Sequence, residues 1–287
     1  MAAGKPPKQR LDLLIVQRQL SLDPSGPLSR QQAQRLIQAG QVRVNQQIID
    51  KPGTLISPQA AIEIKQRPPY VSRGGEKLAG ALAKFPIGLE GRICLDAGIS
   101  TGGFTDCLLQ AGARRVYGID VGYGQVDWGL RQNPRLILKE RTNIRYLQPR
   151  DLYQPDDPWP NLAVADVSFI SLTKILPALV NLLIAPKELL LLVKPQFEVG
   201  RELVGKSGVV KDVQAQATAI QKVLEASEHL GWLAQGLTPS PLLGPAGNRE
   251  FFLWLNTHSS TQTPAPIQIE QICQQTASGE LFSSRWQ

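Results

Sequence analysis

Apolar positions in the C-terminal three quarters of the chain come in two alternating rhythms. Short apolar runs occur at Ile93-Cys94-Leu95, Val116 to Asp120, Leu136-Ile137-Leu138, Leu162 to Asp166 and Leu189 to Lys194. Between them lie segments with helical spacing: Phe104, Cys107, Leu108 and Leu109, then Thr173 to Leu183, then Gln214 to Leu230 with Gly231 as a stop. Strands alternating with helices predict crossover connections and a parallel sheet. The run at Leu189 is apolar at every position, which places it centrally, buried on both faces. The rhythm breaks at the end. Trp232 to Leu237 and Phe251 to Leu255 are joined by a Pro/Gly-rich loop without a helix, so they are expected as an antiparallel pair at the sheet edge.

The first quarter reads differently. Leu11, Leu14, Ile15 and Gln19-Leu20 predict a short helix, ended by the breaker Asp23-Pro24-Ser25-Gly26-Pro27. Ser29 caps a second helix, Arg30 to Ala39, with Ala33, Leu36 and Ile37 on one face and Gly40 as its stop. Val42 to Asn45, a turn at Gln46-Gln47, Ile48-Ile49 and Ala61 to Lys65 predict a small sheet. The expected organisation is therefore a small α+β domain over 1–65 with a basic extension at 1–9, and a proline-stiffened linker over 66–72. The α/β domain follows over 73–256, opening on a helix with Leu78, Ala81, Leu82 and Phe85 on its apolar side. The Ser/Thr/Gln/Pro-rich tail 257–287 either hangs off the core or folds as a short helix around Ile267 to Cys273.

Charge separates the two parts further. The net charge is +7, and residues 1–70 hold 10 Lys/Arg against 4 Asp/Glu, so nearly all the excess sits in the small domain. A basic module on a near-neutral domain suits a polyanion such as RNA. Arg30, Arg35 and Arg43 are expected to line one face of it and to bind the RNA together with Arg67 in the linker and Arg73 just after it. No apolar run approaches the ~20 residues needed to cross a bilayer, and the basic N-terminus has no apolar core of a secretory signal. Three cysteines (Cys94, Cys107, Cys273), odd in number and without metal-ligand spacing, fit a reducing cytosol. The expectation is a cytoplasmic protein with no membrane and no metal partner.

Chemistry concentrates after the first strand of the large domain. Asp96, Gly98, Ser100, Thr101, Gly102, Gly103 and Phe104 form a glycine loop between strand and helix, where backbone can approach a nucleotide-like cofactor. The dinucleotide fingerprint begins with glycine. Here Asp96 leads, which repels a pyrophosphate and suits the ammonium or sulfonium of S-adenosylmethionine. Asp120 ends the next strand, where a carboxylate accepts both ribose hydroxyls, and Asn143 follows the third strand near the expected adenine. Lys77, Asp166, Lys194 and Glu250 each fall at the carboxyl edge of the sheet or on the helix before it. A lysine ending so apolar a strand as Leu189 to Lys194 needs a partner, and Asp166 and Glu250 are available.

Two resemblances follow. The segment "LSRQQAQRLIQAGQVRVNQQIIDKPGTLI" is similar to the S4 RNA-binding domain. The segments "YVSRGGEKL", "DAGISTGGFTDCLLQAGA", "IDVGYGQ", "ERTNIR", "ADVSFISL" and "VKPQFE" resemble the TlyA family, whose members also carry the name haemolysin A. That resemblance implies an S4 domain joined to an FtsJ-like methyltransferase domain with a class I (Rossmann-like) sheet. It implies S-adenosylmethionine as cofactor and ribose 2′-hydroxyls of ribosomal RNA, cytidines in particular, as acceptors, on ribosomal RNA or ribosomal subunits. It also implies that Lys77, Asp166, Lys194 and Glu250 form the catalytic tetrad, with Lys194 as base, Lys77 as the cation beside it, and Asp166 also at the cofactor. Three other readings are weaker. A non-catalytic RNA-binding protein does not need the tetrad, a pore-forming haemolysin lacks a spanning or strongly amphipathic basic helix, and a nucleotide-dependent dehydrogenase is disfavoured by Asp96 and the terminal hairpin.

Overall fold

The structure, a computed structural model, describes residues 6–20, 27–64, 68–258, 266–278 and 284–285. The chain divides into two compact units, Met1–Pro68 and Pro69–Gln287. The breaker residues 23–26, Lys65, Gln66 and Arg67 lie outside the described residues.

The first unit holds β1 (Gln9–Arg10), α1 (Leu11–Gln17), α2 (Arg30–Gln38), β2 (Val42–Val44), β3 (Gln47–Ile48), β4 (Leu55–Ile56) and β5 (Ile62–Ile64). Leu11, Leu14, Ile15, Ala33 and Ile37 from the two helices close over Val42, Val44 and Ile56. Ser29 caps α2 as expected: Gln32 N–H donates to its Oγ at 3.3 Å, and Ser29 N–H donates to Gln32 Oε1 at 2.8 Å. The hairpin turn falls one residue earlier than the sequence suggests. Val44 pairs with Gln47, and Asn45 and Gln46 adopt φ of 48° and 68°. A two-residue hairpin turn of this hand needs left-handed backbone at both central residues, and Asn tolerates it well.

The second unit is built from α3 (Arg73–Leu82), β6 (Ile93–Ala97), α4 (Gly103–Gln110), β7 (Arg115–Ile119), α5 (Trp128–Arg131), β8 (Leu136–Lys139) and α6 (Pro149–Leu152). It continues with β9 (Leu162–Ala165), α7 (Leu176–Leu182), β10 (Glu188–Val193), α8 (Pro195–Glu198), α9 (Val213–Glu228), β11 (Leu233–Pro239), β12 (Phe251–Asn256), α10 (Pro266–Ser278) and β13 (Ser284–Arg285). Its sheet runs β13-β11-β12-β10-β9-β6-β7-β8. β8, β7, β6, β9 and β10 are parallel, while β12 is antiparallel to both β10 and β11. The chain leaves β6 towards β7 and β8 and then returns to its other side through β9. That reversal opens a crevice at the carboxyl ends of β6 and β9. β10 is buried throughout: Leu189, Leu191 and Val193 join the core under α7 and α9, and Leu190 and Leu192 the core under α3 and α4.

One expectation changes, and one open alternative closes. Pro69 to Ser72, read from sequence as linker, is fastened to the second unit: Gln110 Nε2 donates to Pro69 O at 2.9 Å, and Val71 N–H to Asp106 Oδ2 at 2.9 Å. Of the two alternatives for the tail, the short helix is the one found, at Pro266–Ser278. α10 lies on α9 with Ile269, Ile272 and Cys273 in the core, and β13 extends the sheet on β11. Ile269→Ala should therefore lower the unfolding free energy by about 2–4 kcal/mol in urea titrations. A loss near zero would mean that α10 contributes nothing to the core.

Candidate active site

Every sequence-derived site residue in the second unit except Asp96 and Gly102 lies at two adjoining cavities or in the paired side chains beside them. The larger cavity, about 580 Å³, is lined by Gly98, Ser100, Asp120, Asn143 and Asp166, with Ile119, Val121, Ile144, Val167 and Ile175 as apolar wall. The smaller, about 300 Å³, is lined by Arg73, Lys77, Thr101, Gly103 and Phe104, with Leu243 and Pro245 opposite. Gly98, Ser100 and Asp166 belong to both.

Local backbone explains this arrangement. Gly98 has φ +89°, and a Cβ there would lie 2.6 Å from the carbonyl oxygen of Asp166. Ser100 is held in left-handed backbone at φ 51°, which aims its N–H at Asp120 Oδ2, 2.8 Å away. Gly122 N–H donates to Asp120 Oδ1 at 2.7 Å, so two backbone donors fix the carboxylate with its remaining lone pairs free. Such a carboxylate accepts a vicinal diol. With apolar walls beyond it for a flat ring, the donor and acceptor set of the larger cavity fits the nucleoside half of S-adenosylmethionine. Asn143 caps the 3-10 turn Ile144–Tyr146, with Arg145 N–H donating to its Oδ1 at 3.1 Å.

The four charged residues form two ion pairs. Lys77 Nζ lies 2.6 Å from Glu250 Oε2, both buried, and Lys194 Nζ lies 2.6 Å from Asp166 Oδ1. Sheet register brings them to one edge. Val193 pairs with Phe251 across β10 and β12, so Lys194 and Glu250 are the next residues beyond that pair, and Asp166 follows neighbouring β9. Lys77 reaches the same edge from α3. The sequence reading offered Asp166 and Glu250 as partners for Lys194; Asp166 pairs with Lys194, and Glu250 pairs with Lys77. Lys194 also donates to Ser168 Oγ at 2.8 Å, a partner that sequence reasoning missed although Ser168 lies inside "ADVSFISL".

Asp96 departs most from expectation. It is fully buried and lines neither cavity, and Thr105 Oγ1 donates to its Oδ2 at 2.7 Å. Burial pushes its carboxyl up to about 7; the Thr105 hydrogen bond opposes this, and the charges of Asp166 and Asp120 add to it. Asp96 fixes α4 behind the loop instead of facing a cation. Between about pH 4 and 7 the folded chain holds a proton that the unfolded chain has released. Its contribution to stability therefore falls as pH rises through that window and is constant above it. Asp96→Asn, neutral and similar in shape, removes the effect. Its stability relative to the wild type should rise by roughly 3 kcal/mol between pH 5 and 8, read from urea titrations; a constant difference would refute a buried titrating Asp96.

The basic residues of the first unit do not share one stripe. Arg30 and Arg35 are about 140° apart around α2. Both are exposed, but Arg30 Nε donates to Asp12 Oδ2 at 3.2 Å. Asp12 is fully buried and also receives Arg10 Nε at 3.0 Å and Gln34 Nε2 at 2.8 Å. The Arg10 hydrogen bond leads the causes that hold its carboxyl well below the usual carboxylate range. Arg43 is half-buried on β2 opposite Glu63, and Arg67 lies outside the described residues.

A parallel sheet with a reversal beside the glycine loop, a strand-end carboxylate held by two backbone donors and a closing antiparallel hairpin define a class I methyltransferase dependent on S-adenosylmethionine. Models of the FtsJ-like methyltransferase and of the S4 domain match residues 70–257 and 24–62. The chain belongs to the TlyA family. It is 46% identical to the 16S/23S rRNA (cytidine-2′-O)-methyltransferase TlyA of Mycobacterium tuberculosis, over 88% of this chain and 91% of that one. It is 39% identical to Hemolysin A of Brachyspira hyodysenteriae over 78% and 92% of the two chains. A solved structure from Streptococcus thermophilus that carries a hemolysin name superposes with a TM-score of 0.70, at 40% identity, over 96% of this chain and 97% of that one. Among the described residues no helix is long and apolar enough to cross a membrane.

Proposed function

We propose that this methyltransferase acts on the 2′-hydroxyl of cytidine ribose in ribosomal RNA, presented within ribosomal subunits in the cytoplasm, through Lys77, Asp166, Lys194 and Glu250. The observation that carries the reading is Asp166, which lines both cavities and is ion-paired with Lys194. A lysine–carboxylate pair where two cavities adjoin suits proton transfer between their occupants. The acceptor and the recognition of RNA are also supported by the printed name of the Mycobacterium tuberculosis relative and by the S4 match.

When bound, S-adenosylmethionine supplies an electrophilic methyl group on a sulfonium. The remaining work falls to this chain. Asp120 and the apolar wall of the larger cavity hold the nucleoside, and the acceptor ribose enters the smaller cavity beside Lys77, where it is aligned. Lys194 Nζ first gives up its own proton to solvent and then, as the neutral amine, takes the proton of the 2′-hydroxyl as its oxygen becomes a nucleophile. Asp166 and Ser168 keep that nitrogen in place, and Asp166 stabilises the ammonium that results. Lys77 and Glu250 neutralise each other in a buried position and set the ribose side of the site. The S4 unit adds a salt-sensitive grip on phosphates, to which exposed Arg35 contributes and Arg30, tied to Asp12, contributes less.

Lys194→Ala is the cleanest test, because removing either Lys77 or Glu250 strands a buried charge and costs stability as well. Transfer of labelled methyl groups to unmethylated ribosomal subunits should fall by about 10²–10⁴-fold, while calorimetry still shows cofactor binding. A Lys194→Ala enzyme that methylates normally would overturn the assignment of the base.

A further inference from the structure

Glu198 is a buried carboxylate that the proposed chemistry does not use, and its contacts join the two loops that do. It ends α8, the four-residue helix that begins directly after Lys194. Phe197 N–H donates to Lys194 O at 2.9 Å, so the lysine backbone is part of that turn. Glu198 Oε1 accepts Leu172 N–H at 2.7 Å, and Oε2 accepts the Ser171 hydroxyl at 2.5 Å. Ser171 and Leu172 close the segment that starts at Asp166 and contains Ser168. On its other side, Lys222 Nζ from α9 donates to Glu198 O at 2.5 Å. The rings of Phe169 and Phe197, 5.2 Å between centroids, link the same two loops near the rim.

A carboxylate only 2% exposed is expensive to bury unless its lone pairs are filled. Here both oxygens are filled by donors from one loop, while its backbone belongs to the other. An exposed cap on the 3-10 turn Leu172–Lys174 would satisfy the same N–H without that cost, so local capping alone does not account for its burial. Burial raises its carboxyl above the usual range, with the Ser171 and Leu172 hydrogen bonds opposing the shift. That fits a group held for its geometry.

We propose that Glu198 is a positioning residue: its carboxylate locks the Asp166–Ser168 loop to the Lys194 loop and thereby fixes the Lys194 nitrogen against its two partners. The inference rests on Lys194 and Asp166 as the catalytic pair. Misplacing a reacting group by about 1 Å can cost on the order of 10²-fold in rate, so a loosened clamp should slow the chemical step without emptying the cofactor cavity.

The test uses the full chain, labelled S-adenosylmethionine and unmethylated ribosomal subunits in single-turnover reactions, with Lys194→Ala as reference. Glu198→Ala should slow methyl transfer by about 10–100-fold and leave the cofactor Kd unchanged. Glu198→Gln should restore most of the rate, since its amide oxygen still accepts Leu172 N–H and its amide nitrogen can donate to Ser171 Oγ. A Glu198→Ala enzyme at wild-type rate beside an inactive Lys194→Ala enzyme would overturn the clamp and leave the catalytic pair intact. So would a rate loss that merely tracks a lost cofactor Kd. An active Lys194→Ala enzyme would overturn the pair, and the clamp with it. If Glu198→Ala fails to melt cooperatively, Ser171→Ala decides in its place by removing one donor: slower transfer at unchanged Kd supports the clamp, and an unchanged rate overturns it.

Discussion

The active site depends on one missing carbon. With Gly98 lacking a Cβ, the backbone leaving β6 comes so close to Asp166 that any other residue would collide with its carbonyl oxygen at 2.6 Å. Asp166 N–H in turn donates to Ala97 O at 3.0 Å, continuing the β6–β9 ladder one step past the strands. The two loops are therefore locked together at the reversal of the sheet, and Asp166 can face both cavities. A wider separation would leave the two cavities with no shared wall and no side chain facing both.

From that junction, the charges are arranged by register. β12 runs antiparallel to β10, so the residue before one strand and the residue after the other meet at the same edge. This is how Glu250 and Lys194, 56 positions apart in sequence, come to flank one site. The terminal hairpin thus shapes this edge and does more than finish the sheet. Its loop supplies Leu243 and Pro245 to the smaller cavity, and Leu243 O accepts Arg73 Nη2 at 2.9 Å, tying that loop to the start of α3. Each lysine is neutralised where it stands, which limits the cost of drawing two cations to the edge of an apolar core.

Much of this was legible in the chain because it is local or periodic. The Leu189–Lys194 run declares a central strand, Ser29 and Gln32 declare a cap, and the glycine loop declares its own turn. What escaped was set by long-range contact. The spacing of Asp96 is that of a ligand-facing carboxylate, but only the packing of α4 shows that it turns to Thr105 instead. Arg30 reads as a free cation until Asp12, 18 positions away, is seen beneath it. The tail offers a short helix as one of two alternatives, but that Ile269, Ile272 and Cys273 enter the core emerges only once α9 offers a matching face. Ser168 and Glu198 lay within segments that resemble the family, yet no local signal distinguished them from their neighbours.

The two units answer different physical demands, which explains why the charge is so unevenly divided. Phosphate recognition works through water and counterions, and it gains from exposed, loosely ordered cations whose effect fades with salt. Methyl transfer to a weakly nucleophilic hydroxyl gains from the opposite: few charges, each paired, held by buried donors in a site with low freedom. Placing both in one domain would set the long-range attraction of a basic surface against the exact pairing of Lys77 with Glu250 and Lys194 with Asp166. With most of the excess charge in the first 70 residues, the catalytic sheet is left nearly neutral, and its lysines answer to their own carboxylates.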